Sequence, residues 1–122
     1  MDVETTGLIP GHHEILEIGG VIAKFDSEVE KPKLKIVDEF EYKIKPSRLE
    51  IAEPKALNIN GYTDAEWLFA PDLTSVMTEV AEKTAGTILV AHNLCFDEAF
   101  LKAAFAEAGI ESKMHYGKLD TI

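Results

Sequence analysis

An α/β domain built on a mixed sheet is what this sequence predicts, and three observations carry the expectation. The apolar pattern changes period along the chain, strand-like up to about residue 46 and helical over most of the remaining residues. The elements read in the order β-β-β-α-β-α-β, which mixes hairpin-connected strands with strand–helix alternation. Finally, 122 residues with 46% apolar and 28% charged side chains make one domain, long enough to bury a core without covalent staples.

Met1 to Glu4 is extended in character and runs into the turn Thr5-Thr6-Gly7. Ile15 to Phe25 (ILEIGGVIAKF) is a long apolar run rich in Ile and Val, expected to be a central strand buried on both faces. Asp26 to Lys33, with Pro32, reads as a hairpin loop. From Ile36 to Pro46 the pattern alternates, with Phe40, Tyr42 and Ile44 on one face and charges on the other, as in a half-buried strand. These three strands predict an antiparallel meander. Pro54 to Leu57 can start a short helix, followed by the turn-rich Asn58 to Asp64. Asp72 can cap a helix whose Leu73, Val76, Met77 and Val80 recur at helical spacing, ended by Gly86. Ile88 to Ala91 is a short apolar strand. Cys95 to Ala108 is a second helix, with Phe96, Phe100, Ala104 and Ala108 on one stripe, and Lys118 to Ile122 begins another strand. Both ends look cut, so the chain is expected to be a fragment of a longer domain.

Composition narrows the function. The sole cysteine, Cys95, excludes an internal disulfide framework and a thiolate zinc finger. No apolar run is long enough to cross a bilayer and no signal pattern opens the chain, so a cytoplasmic domain with no membrane partner is expected. The net charge of −10 opposes a polyanionic ligand unless local bases, divalent cations or a basic partner intervene. Eight of the twelve Lys and Arg residues lie between Lys24 and Lys55, interleaved with eight acids.

Two carboxylate constellations stand out. In an extended Asp2-Val3-Glu4, both acids project to one face and Val3 to the other. Like charges that close raise each other's pKa unless a cation lies between them, and hard oxygen donors suit Mg²⁺ or Mn²⁺. A solvated surface pair would look the same in sequence. Asp97, in His92-Asn93-Leu94-Cys95-Phe96-Asp97, falls in the first turn of a helix. It could cap that helix, or, following a strand end, serve a ligand site. His92 and Asn93 can orient neighbours by hydrogen bonds.

Taken together, D-V-E-T-T-G-L, E-I-L-E-I-G-G-V, N-G-Y-T and A-H-N-L-C-F-D closely resemble the DEDDh 3′–5′ exonucleases. That ribonuclease-H-like family includes the proofreading subunit of bacterial DNA polymerase III and RNase T. The resemblance covers essentially the whole chain. It implies a ribonuclease-H-like fold, here incomplete at its C-terminus, with residues 1–122 forming the N-terminal two thirds of a single exonuclease domain. It also implies catalytic, metal-binding Asp2, Glu4 and Asp97 holding two Mg²⁺ or Mn²⁺. Thr5, Thr6 and Gly7 would lie against the 3′-terminal nucleotide, Ile59 and Asn60 would wedge its base, and Phe96 would pack on it, with His92 and Asn93 behind. The implied partners are the 3′ end of single-stranded DNA or RNA and a DNA polymerase subunit, the implied products nucleoside 5′-monophosphates.

The family's third motif, H-x4-D, has a match in spacing at His115 and Asp120. Gly117 within it suits a helix poorly, and Lys118 to Ile122 reads instead as the family's next strand, which places the third motif beyond residue 122. Elsewhere, adjacent His12 and His13 read as a solvated loop, and Glu17 as a neighbour of the site or a paired edge carboxylate. Trp67 reads as a base-stacking or a packing residue, Cys95 as a small packed side chain. Two rival functions remain: an aspartyl-phosphate phosphatase, disfavoured by Glu4, and a catalytically incomplete module that binds nucleic acid or a polymerase.

Overall fold

A computed structural model describes residues 1–26, 33–115 and 118–120. Three antiparallel strands form the expected meander: β1 (Asp2–Thr5), β2 (Ile15–Asp26) and β3 (Lys33–Lys43), in the spatial order β1-β2-β3. The hairpin loop expected between β2 and β3 lies outside the described residues, as do Gly117 and Ile122. After a 3₁₀ turn at Leu49–Ile51 come α1 (Pro54–Ile59), α2 (Asp64–Trp67) and α3 (Leu73–Thr84). They are followed by β4 (Leu89–Ala91), α4 (Leu94–Ala108) and β5 (Lys118–Asp120). β4 and β5 pair in parallel as a second, two-stranded sheet. The expected single mixed sheet is thus divided in two, and the Met1 ammonium donates to Val90 O at 2.9 Å across the gap.

One face of the meander carries the core. Val3, Ile18 and Phe40 pack with Val76, Met77 and Val80 of α3 and Phe100, Leu101, Ala104 and Phe105 of α4. Asp72 caps α3 as its position implies, its side chain accepting from Ser75 N at 2.8 Å. Phe40 can lie flat against β2 only because Gly20 faces it, since a Cβ there would come within 2.8 Å of the ring.

The expectation that β2 is buried on both faces is wrong. Ile18 is fully buried, but Val21 is 56% and Phe25 70% exposed. The reason is alternation: the helices cover only the face to which Ile18, Gly20 and Ile22 point, and Val21 and Phe25, with Leu34 opposite Phe25 and Ile36 opposite Ala23, project to the other. On the covered face the last turn of α3 reaches β3 through Lys83, whose Nζ donates to Asp38 Oδ2 at 3.0 Å, and Asp38 lies opposite Ile22.

α2 starts at Asp64, the last residue of the expected turn-rich stretch, and continues through a segment for which the sequence predicts no element. Thr63 caps it by accepting from Glu66 N at 3.1 Å, and Trp67 docks it on β2. The indole Nε1 donates to Leu16 O at 3.0 Å, and Lys43 Nζ stands 4.8 Å over the ring. Trp67 is 2% exposed, which assigns it to packing rather than to stacking on a ligand. Leu16 O also accepts from Ile44 N, so Trp67→Phe leaves no unsatisfied carbonyl. The expected cost is about 1–2 kcal/mol for the lost hydrogen bond and the weakened cation–π contact, measured as a urea midpoint shift at unchanged slope.

Candidate active site

β1 and α4 build the site between them. β1 turns Val3 into the core and Asp2 and Glu4 to the opposite face. β4 then delivers the chain to α4, whose first turn holds Asp97. Asp97 is 4% exposed, and its carboxyl lies against the Val3 backbone N–H, between the two acids of β1, which acts to lower its pKa. The structure therefore brings Asp2, Glu4 and Asp97 together, and the helix-capping alternative for Asp97 does not hold.

Their electrostatics follow from that crowding. Burial pushes the Glu4 carboxyl above its ordinary value, and the charges of Asp2, Glu17 and Asp97 push it further. Asp97 is raised by burial and then by Asp2, against the lowering effect of the Val3 N–H and the N-terminal ammonium. A row of charge continues across the sheet: Glu4 faces Glu17 on β2, and Glu17 faces Lys43 on β3. Lys43 Nζ lies 3.4 Å from Glu17 Oε1. Even so, burial and a hydrogen bond with Glu41 keep Glu17 raised. Its sequence position suggested two roles, and it fills both, as a neighbour of Glu4 and as half of an ion pair.

Beside the carboxylates, the segment after β1 is locked from several sides. Thr5 Oγ1 donates to Gly7 O at 2.6 Å, Thr6 Oγ1 accepts from Glu14 N at 2.9 Å, and Thr6 O accepts from Glu53 N at 2.8 Å. Asn60 Nδ2 donates to Thr5 O at 2.8 Å, tying the end of α1 to the same turn. Thr5, Thr6 and Gly7 are all buried, so the side chains expected to meet a nucleotide are spent on the turn itself. What the turn exposes is Leu8, at 72%, followed by the exposed Ile9; Ile59, exposed too, ends α1 beside Asn60. Sequence reasoning missed Leu8 and Ile9; two apolar residues just past a Thr-Thr-Gly turn were the available signal. Phe96 is half-buried, tilted against Phe100 at 4.8 Å between centroids. His92 and Asn93 are exposed, and Asn93, the N-cap residue of α4, makes no side-chain capping bond. Cys95 is exposed too, not packed as expected.

Glu4 and Asp97, both raised by burial and by the charge of Asp2 beside them, make with Asp2 a donor set of the right chemistry and charge for a hard divalent cation. Among the described residues, however, no group of three or more His, Cys, Asp or Glu side chains stands ready to hold an ion. Sharing one would require these side chains to turn towards one another. His115 does not join them: its backbone N donates to Thr87 O, at the entrance to β4, the end away from Asp97. Lys118–Asp120 is a strand beside β4, as expected for the continuation of the sheet.

Comparison with known proteins gives concordant results. The RNase T family, described as exonuclease, matches residues 1–121. The DNA polymerase III PolC-type proteins of Staphylococcus haemolyticus and Bacillus subtilis are each 33% identical over 121 residues, 99% of this chain. The chain spans only 8% of the length of those relatives. Among solved structures, Escherichia coli exonuclease I in complex with a dT13 oligonucleotide superposes with a TM-score of 0.74 at 18% identity, over 98% of this chain and 26% of that one. Exonuclease I from Methylocaldum szegediense gives 0.71 at 20% identity, over 99% of this chain and 27% of that one. The shared fold is ribonuclease-H-like.

Proposed function

This chain belongs to the RNase T exonuclease family, and from that premise we propose that it is the carboxylate-bearing part of a metal-dependent 3′–5′ exonuclease acting on single-stranded DNA. The observation that carries the reading is Asp97 reaching from α4 to the backbone of Val3, between Asp2 and Glu4. DNA is preferred over RNA as substrate because the relatives are named DNA polymerases and a structural neighbour is a complex with an oligothymidylate. Nucleoside 5′-monophosphates are the proposed product.

Asp2, Glu4 and Asp97 would hold two Mg²⁺ or Mn²⁺. Bound there, the cations would supply positive charge to the attacking and leaving oxygens of an in-line displacement. The rest falls to the protein. Burial of Glu4 and Asp97, and the charge of Asp2 beside them, favour a positive guest over three separate charges. The bond from Asn60 to Thr5 O fixes α1 against the turn, and Leu8 and Ile59 offer apolar surface to a terminal nucleotide. Phe96, half-buried one residue before Asp97, would touch the same nucleotide with its open edge. No general base is assigned among the described residues, because His115 is held at Thr87. A basic or polymerase partner would offset the net charge of −10 as a strand approaches.

The test is a 5′-labelled oligothymidylate incubated with Mn²⁺, alongside calorimetric titration of the ion. A stepwise ladder shortening from the 3′ end, with Asp97→Asn reducing both rate and ion affinity at least about a hundredfold, is the expected result. Cleavage that survives in Asp97→Asn, or ion binding indifferent to it, would overturn the reading.

A further inference from the structure

His13 is not the solvated loop residue that its sequence position suggests. It is 5% exposed, whereas its neighbour His12 is open to solvent. The chain folds back at Pro10-Gly11, and His13 N closes that turn on Ile9 O at 2.8 Å. The imidazole then fills the space under Gly7: a Cβ on Gly7 would fall 2.5 Å from ring carbons Cδ2 and Cε1. Glycine is required there because the ring occupies the place of a side chain.

The ring is also oriented. Ile9 N donates to His13 Nδ1 at 3.1 Å, so Nδ1 is an acceptor and the ring proton belongs on Nε2. Nε2 faces Glu53 Oε1 at 4.0 Å, and Glu53 in turn donates its backbone N–H to Thr6 O. One side chain thus touches the turn at Gly7, at Ile9 and, through Glu53, at the residue before them. Leu8 and Ile9, the exposed residues that the turn displays, lie within this span.

From this arrangement we infer that His13 is a positioning residue, whose neutral imidazole holds residues 7–9 in the shape that presents Leu8 and Ile9 to a 3′-terminal nucleotide. The inference rests on the exonuclease reading, and it makes the Nδ1 acceptor, not merely the volume of the ring, the working feature. A backbone N–H deprived of its acceptor in this packed turn would pull the loop away from its present path to find another.

The experiment compares His13→Asn, whose amide oxygen can still accept from Ile9 N, with His13→Phe, which fills the space and cannot. Binding of a 5′-labelled oligothymidylate is measured by anisotropy in an Asp97→Asn background to prevent cleavage. His13→Asn is expected to bind within about twofold of the parent. His13→Phe should weaken binding on the order of tenfold, the equivalent of one lost hydrogen bond. Imidazole ¹⁵N shifts should report a proton on Nε2, and amide exchange at Ile9 should be slow in the parent and in His13→Asn only. Equal binding by His13→Phe and the parent would overturn the inference, as would equal damage in both variants or a proton on Nδ1. A parent that binds no oligonucleotide in this background overturns the nucleotide half of the inference, while the exonuclease reading is decided separately by Mn²⁺-dependent cleavage in the unsubstituted chain; the ¹⁵N shifts and Ile9 exchange then still decide the loop half.

Discussion

Asp2→Asn should raise the melting temperature of the metal-free protein at neutral pH while abolishing the stabilisation that Mg²⁺ or Mn²⁺ gives the parent. Glu4 and Asp97 both have carboxyls raised from their ordinary values of 4.5 and 3.8, by burial first and by the charge of Asp2 next. A raised folded-state pKa means that the native protein still holds protons the unfolded chain has released. Stability therefore falls as pH climbs from those ordinary values through the raised ones, and stays reduced above them. Removing the charge of Asp2 relieves part of that loss. The gain should vanish at low pH, where all three acids are protonated in both states. The ion works the other way, stabilising by binding the native site, so the variant should lose that increment. Melts with chelator between about pH 3 and pH 8, repeated with Mn²⁺, make the comparison. A metal-free variant less stable than the parent at pH 7 would mean that the carboxylates are not in conflict.

Phe100→Ala should cost about 3–5 kcal/mol, a large share of the roughly 5–15 kcal/mol that holds a domain together. Phe100 is 1% exposed, packed between the helices and the meander and against Phe96. Because Asp97 lies one turn before it on α4, the cavity would also loosen the carboxylate that α4 brings to β1. Phe100→Leu, which keeps most of the volume, should cost less than half as much. Urea melts of both variants, read beside Mn²⁺ titrations, test the pair. A loss below about 1.5 kcal/mol for the alanine variant would show that α4 is not anchored at this point.

How much of this was legible depends on whether the deciding contact is local. Asp2 and Glu4 share a face because strands alternate, and Asp72 caps α3 because a carboxylate beside a free N–H does so in most settings. Phe100 and Ala104 line the core as their spacing implies. The misses were settled at a distance. Four residues of α2 carry no periodicity, and what holds them is Trp67 meeting Leu16 O, 51 positions away. The exposure of Phe25 depends on its face of the hairpin being left uncovered among the described residues, which β2 itself does not reveal. His13 is buried because a residue six places earlier has no side chain. Asp97 was recognisable as a first-turn acid, but whether it capped its own helix or reached Val3 depended on how α4 lies against β1.

The packing of Lys43 on Trp67 gives the molecule an optical property. Trp67 is the only indole in the chain, and the ammonium held 4.8 Å over its ring is shared with Glu17, the carboxylate facing Glu4. Any guest that draws Glu4 and Glu17 towards it alters the field over the ring. Intrinsic tryptophan emission is therefore expected to respond to occupancy of the acidic cluster, which would let ion binding be followed without a dye.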